Sequence, residues 1–498
     1  MSHPAEHLSG TPAAQPAQNT QGVPATAAQP RKLPLPLLTA LVIGSMIGSG
    51  IFSLPQNMAA GASAGAILLG WLITGAGMLM LSLCYQTLAL RKPELDNGIY
   101  AYARASAGEF VGFNSAWGYW VSAWIGNVGY LVIVFGTLGY FFPIFGDGNT
   151  RAAIVGASIA LWVMHAMILR GMRSAAIVNA LTTAAKIVPL LLFVVLAAAA
   201  FHGVQFRTDF WGDAKLPGVI EQLKSTMLVT VWVFIGIEGA SVLSARAQHR
   251  QDIGRATVLS FIVVLALLMA VSLLSLGIVG QPELAQMKNP SMAGVLAKAV
   301  GAWGVVLIGI GLLVSVGGAL LAWTLLAAET LFTPAAGGVM PKFLARENAR
   351  GVPVAALWVT NGLVQLFLIL TLVSNATYLA LISLATSMIL VPYLFSAAYA
   401  SLIALRADGY EAGDRTRGRD LLIAGLATLY CCWLLYAAGP KYLLLSALLY
   451  APGVVFYAWA KRARRATLFR PFELVLLIAL LALAAVAAFL LATGRLGL

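Results

Sequence analysis

Gly48, Ser49 and Gly50 interrupt an apolar run, Leu41-Val-Ile-Gly-Ser-Met-Ile-Gly-Ser-Gly-Ile-Phe-Ser-Leu-Pro55, that is long enough to cross a bilayer. Glycine and serine weaken a helix, and a helix broken in hydrocarbon leaves backbone groups unpaired. Such a break is tolerated only where protein or a polar cavity surrounds it. The half-helix that restarts after the break aims free N–H groups into that cavity, which makes an anion site out of backbone. Gly48-Ser49-Gly50 is therefore expected to hold a carboxylate. Gly44 and Gly48 also fit small-residue helix packing. Packing alone does not call for a second Gly-Ser-Gly step followed by Pro55.

A second apolar run, Val231-Trp-Val-Phe-Ile-Gly-Ile-Glu-Gly-Ala-Ser241, is interrupted by small residues and carries an acid. Glu238 reads either as a protonated acid bonded to freed backbone groups or as a proton-sensitive or cation-facing carboxylate; ionisable residues inside membrane spans favour the second. Lys186 lies about 17 Å into its span at helical rise. That is too deep to snorkel, so an internal role is expected. Glu329 sits near the inner end of its span, where snorkelling is easy, and reads as structural. Trp232 and Trp323 would each pass for packing alone, yet facing a cation their rings could stack on a guanidinium or ammonium group. Trp117, Trp120, Trp124 and Asn127 share one helix face by spacings of three, four and three. That face either packs or borders a cavity, and Asn127 is too deep for an interfacial belt.

The elements that must position these residues follow from composition. The chain is 60% hydrophobic and 10% charged over 498 residues, against about 25% charged in soluble domains. It is a polytopic all-α membrane protein. Thirteen apolar segments of spanning length are read at approximately 37–55, 63–89, 109–142, 152–170, 175–201, 221–245, 255–280, 300–333, 354–373, 377–404, 420–438, 441–460 and 471–493. The outer connection around Trp211 and Pro217 is expected to carry short helices. Residues 1–32 form a disordered cytoplasmic tail with no signal-peptide pattern, 33–404 a ten-helix core, and 405–498 accessory spans. With the N-terminus cytoplasmic, inner segments hold 22 Lys/Arg and outer segments 8. The net charge of +13 is thus a topology signal and not a nucleic-acid surface. Cys84, Cys431 and Cys432 lie within spans and indicate neither a disulfide framework nor a metal site. Interrupted spans 1 and 6 are five apart and cross in opposite directions, which points to an inverted five-plus-five repeat with a site at mid-membrane.

Gly48-Ser-Gly-Ile-Phe-x-Leu-Pro55 and Trp232-Val-Phe-Ile-Gly-Ile-Glu238 resemble the amino acid–polyamine–organocation transporters. Trp124-Ile-Gly-Asn127, Trp323-Thr-Leu-Leu-Ala327 and Val391-Pro-Tyr-Leu394 are similar to the basic amino acid antiporters within that superfamily. The resemblance covers about residues 33–460 and implies the leucine-transporter fold with broken helices 1 and 6. By position it implies a substrate set of Met46, Ser49, Gly50, Asn127, Trp232, Ile235 and Trp323. Ser49 and Gly50 would receive an α-carboxylate, and backbone carbonyls around Trp232 and Ile235 an α-amino group. Trp323 would stack on the side-chain cation, with Trp232 facing the bound substrate. Tyr119 and Glu238 match gating and proton-sensing positions. Lys186 resembles the lysine of proton-coupled members, whose ammonium occupies a sodium site. Ser45 stands where arginine/agmatine antiporters have asparagine.

The function so implied is exchange of extracellular L-arginine for intracellular L-ornithine across a bacterial inner membrane. Lysine/cadaverine or histidine/histamine exchange and a proton-coupled permease are the alternatives within the class. Outside it, a membrane enzyme lacks any HExxH, GxSxG or phosphate-loop signature, and a nutrient receptor would need a signalling domain. No cofactor, metal or nucleic acid is expected. The bilayer is the partner, and a homodimer is left open.

Overall fold

Pro34 and Pro36 set the entry of the first helix, where a missing N–H costs nothing. Helix α1 (Leu35–Met46) ends where Ile47 turns extended, at φ −80° and ψ 92°. Helix α2 (Gly50–Ala59) restarts after Ser49, and the two are bent by 45°. The computed structural model describes residues 34–95, 98–171, 173–213, 215–238, 248–374 and 376–497. The expected N-terminal tail lies outside the described residues.

The remaining helices are α3 (Ala64–Arg91), α4 (Gly98–Ala107), α5 (Glu109–Leu138), α6 (Arg151–Leu169), α7 (Arg173–Ala199), α8 (Gly203–Arg207) and α9 (Val219–Trp232). They continue with α10 (Arg250–Leu276), α11 (Gln281–Ala285), α12 (Ser291–Val300), α13 (Trp303–Ala336), α14 (Val354–Ser374), α15 (Tyr378–Arg406), α16 (Thr416–Ala463) and α17 (Pro471–Ala492). Among the described residues nine helices are long and apolar enough to cross a membrane, or ten if the bent pair α1–α2 counts as one. Helix α16 bends at Gly439, whose φ of 70° suits glycine and is followed by Pro440. After α9 the chain runs through turns from Val233 to Glu238, with Gly236 at φ 108°. Whether this span resumes as a second half-helix lies outside the described residues.

Helix α5 is the most enclosed of the apolar spans and α17 the least. Helix α5 packs on α13 and α15, α1 on α10, and α9 on α3 and α15. The α5–α15 approach is close because Gly118 has no side chain: a Cβ there would lie 2.8 Å from the Met388 carbonyl oxygen. Thr150 and Thr377 cap α6 and α15, accepting at 3.2 Å from the Ala153 and Ala380 N–H groups. The Glu473 carboxylate accepts from Phe110 N–H at 3.1 Å, which fastens the start of α17 to the start of α5.

Candidate functional site

The two interruptions meet. The Ser45 hydroxyl donates toward the Val42 carbonyl at 2.8 Å and the Gly236 carbonyl at 3.1 Å. Gly236 is required twice over: its φ is 108°, and a Cβ would sit 2.9 Å from the Ser45 carbonyl oxygen.

At the first break the acceptors are used and the donors are left over. The Ile43 and Met46 carbonyls accept from Ile47 and Gly48 N–H, both at 3.0 Å. Lys186, 2% exposed, donates to the Gly44 carbonyl at 2.6 Å and the Ile47 carbonyl at 2.5 Å. Among the described residues no backbone acceptor meets the N–H groups of Ser49, Gly50 or Ile51. The start of α2 therefore presents unpaired donors and the positive end of a helix dipole. The second break has the opposite polarity, because α9 ends at Trp232 and turns the negative end of its dipole to the break, although its Val231 and Trp232 carbonyls already accept from the Phe234 and Ile235 N–H groups at 3.0 and 3.3 Å. The polarity of the two ends matches a zwitterion, carboxylate toward α2 and ammonium toward α9.

A small cavity lies beside these ends. Met46, Gly50, Trp232, Ile235 and Trp323 line it, together with Gly48, Ser122, Ala123, Gly126, Tyr130 and Val233. Its volume is ≈ 20 Å³, room for about one water. Entry of an amino acid thus requires the two breaks to part. Ser49 and Asn127 stand just behind this lining. The Ser49 hydroxyl shares a 2.7 Å hydrogen bond with the Tyr378 hydroxyl. The Asn127 amide donates to the Thr324 hydroxyl at 3.2 Å, and its Oδ1 has no partner among the described residues.

Below the cavity Trp323 packs on Tyr119, ring centroids 6.4 Å apart. Tyr119 donates to Glu238 Oε1 at 2.7 Å, and Tyr393 and the Gly236 N–H donate to Oε2 at 2.9 and 3.1 Å. Glu238 is 1% exposed and is held by groups from α5, α15 and its own turn. It can therefore couple those three elements.

The tryptophan face of α5 packs instead of lining the cavity. Trp117 donates to the Leu449 carbonyl and Trp120 to the Thr360 hydroxyl, both at 3.0 Å, and Trp124 stacks edge-on to Phe367. The cavity side of α5 is the run of small residues Ser122, Ala123 and Gly126 with Tyr130. Tyr130, Tyr378 and Tyr393 were not singled out in the sequence. Their one signal was Tyr393 inside Val391-Pro-Tyr-Leu394.

The amino acid permease family profile matches residues 35–494. The chain is 55% identical over 476 residues to the arginine/ornithine antiporter of Pseudomonas aeruginosa, covering 94% of this chain and 99% of that protein. It is 43% identical over 470 residues to the arginine/agmatine antiporter of Chlamydia caviae, covering 93% and 97%. It is 41% identical over 500 residues to the L-lysine transport protein of Corynebacterium glutamicum, covering 96% and 100%. With nearly its whole length matched, the chain belongs to the amino acid permease family, among the basic amino acid antiporters of the amino acid–polyamine–organocation superfamily.

Proposed function

We propose that this protein exchanges L-arginine for L-ornithine across a bacterial inner membrane by alternating access. The observation that carries the reading is the meeting of two helix ends of opposite polarity, the N-terminus of α2 and the C-terminus of α9, beside a cavity walled by Trp232 and Trp323. Those ends recognise the carboxylate and amino group that both substrates share. The two tryptophans suit a side-chain cation. The similarity to an arginine/ornithine antiporter narrows the pair. Both substrates are monovalent cations, so one-for-one exchange moves no net charge.

In this reading Ser49 and Gly50 receive the carboxylate, with Met46 and Asn127 completing the substrate set. Carbonyls around Trp232 and Ile235 take the amino group. Tyr119, Glu238 and Lys186 act in gating or proton linkage. The architecture is thirteen spans with the N-terminus cytoplasmic, the first ten forming the five-plus-five inverted repeat. The bent first span and the interrupted sixth support it, as does the excess of inner Lys/Arg.

Counterflow in proteoliposomes tests the reading. Labelled arginine should accumulate against internal ornithine, and weakly or not at all against internal cadaverine, histamine or agmatine. Accumulation driven best by cadaverine or histamine would replace the substrate pair, and uptake that needs no internal substrate would replace exchange by a permease.

A further inference from the structure

A second cavity, of ≈ 200 Å³, adjoins the Tyr119–Glu238 pair. The two cavities follow one another along the same helices. On α5 the upper is lined by Ser122, Ala123 and Gly126 and the lower by Ser115, Ala116 and Tyr119. On α13 the upper is lined by Trp323 and the lower by Leu326, Glu329 and Thr330. Glu329 is six residues beyond Trp323, about 9 Å along the helix. In the proposed topology this lower cavity is the cytoplasmic vestibule.

Glu329 lines this cavity. Among the described residues it makes no hydrogen bond and no ion pair, and the charge that acts on it, from Glu347, is also negative. Arg104, the cation that acts on Tyr100 of the cavity wall, is engaged by Glu109 at 3.3 Å. Ser115, fully buried, lines the same cavity, and its hydroxyl has no hydrogen-bond partner among the described residues. A carboxylate without a counter-ion, a spare hydroxyl and an aromatic wall from Tyr100 and Tyr119 make a site for an alkylammonium or guanidinium.

We propose that Glu329 is a transit site for the substrate's side-chain cation. It pairs with the ammonium of ornithine or the guanidinium of arginine in the vestibule, before or after passage of the Tyr119–Glu238 pair. The inference rests on the basic amino acid exchange proposed above. It gives the vestibule its own selectivity, since a neutral amino acid gains nothing from the carboxylate.

The test is sided kinetics in proteoliposomes whose single orientation is verified by protease access to a C-terminal tag. Glu329→Gln should raise the KM for ornithine at the vestibule face roughly three- to tenfold. The KM for arginine at the opposite face and the maximal rate should stay within about twofold. Glu329→Asp, which keeps the charge, should restore most of the lost affinity. Should the neutral variant fail to insert, the wild type still decides: its KM at the vestibule face should rise more steeply with ionic strength than at the other face. An unchanged KM at the vestibule face, an equal rise at both faces, or salt dependence identical at the two faces would overturn the inference. A wild type that exchanges neither substrate would instead overturn the function on which it rests.

Discussion

Gly50 and Trp232 are in contact across the two breaks: a Cβ at position 50 would lie 2.8 Å from Trp232 Cδ1 and 2.7 Å from Val233 Cγ1. The glycine thus both frees the N-terminus of α2 and leaves room for the ring that walls the cavity. Gly50→Ala should overpack this point at a cost of about 1–3 kcal/mol and push Trp232 into space that a substrate needs. The expected result is inserted protein with arginine binding weakened by tenfold or more by calorimetry. Wild-type affinity in the alanine variant would show that the α2–Trp232 approach does not define the site.

Trp323 stands between the cavity and Tyr119, with its ring 6.4 Å from the tyrosine ring. A cation stacked on it in a partly dry site gains about 1–2 kcal/mol. Trp323→Leu should therefore weaken arginine binding about five- to thirtyfold, and Trp323→Phe should recover part of that loss. Equal affinities for the Phe and Leu variants would leave only packing.

What the sequence disclosed was the interruptions, because glycine, serine and proline in an apolar run are costly without a reason. Met46, Gly50, Trp232, Ile235 and Trp323 do meet around one cavity. What it did not disclose was direction. A span apolar all round has no polar face, so spacing put Trp117, Trp120 and Trp124 together without saying that they face α14 and α16. Depth along a helix said nothing of the cavity beside Glu329, which exists only because α4 and α5 are placed across from it. Helix α4 itself was missed, since Gly98–Ala107 is a short helix with too little apolar length to stand out.

Outside the membrane, Arg91 ties the end of α3 to the loop before α16. It pairs with Asp414 at 2.9 Å, donates to the Thr416 hydroxyl at 2.7 Å and lies 4.1 Å from the Tyr410 ring centre. Hydrogen bonds from the Thr416 N–H and hydroxyl hold the Asp414 carboxyl below its ordinary value, and Arg91 adds to this. A depressed carboxylate pKa contributes stability that is present above the unfolded value, about 3.9, and lost as pH falls through the folded one. Asp414→Asn should thus lower the melting temperature by a constant amount between about pH 5 and 8, the gap closing only at more acid pH. A gap that already shrinks between about pH 8 and 6 would assign the effect to another group.

Lys186 reaches the first break from α7 and bonds the Gly44 and Ile47 carbonyls at 2.6 and 2.5 Å. A sodium ion bound to those same oxygens would sit against an ammonium group in a medium of low dielectric, where like charges repel strongly. Exchange should therefore proceed equally in sodium and in choline. Lys186→Met removes the donor and leaves two buried carbonyls short of a partner, at about 1–3 kcal/mol each. It also frees acceptors beside the start of α2, where the carboxylate is proposed to bind, and their negative ends would oppose the substrate's anion. The variant should melt earlier and bind arginine more weakly, without acquiring wild-type activity when sodium is added. The decisive comparison is arginine/ornithine exchange in proteoliposomes with sodium or choline, for wild type and Lys186→Met. Loss of wild-type exchange in choline would sink the assignment of Lys186 as the occupant of that position. Full rescue of Lys186→Met by sodium would show that the break needs only a cation there, whichever species supplies it.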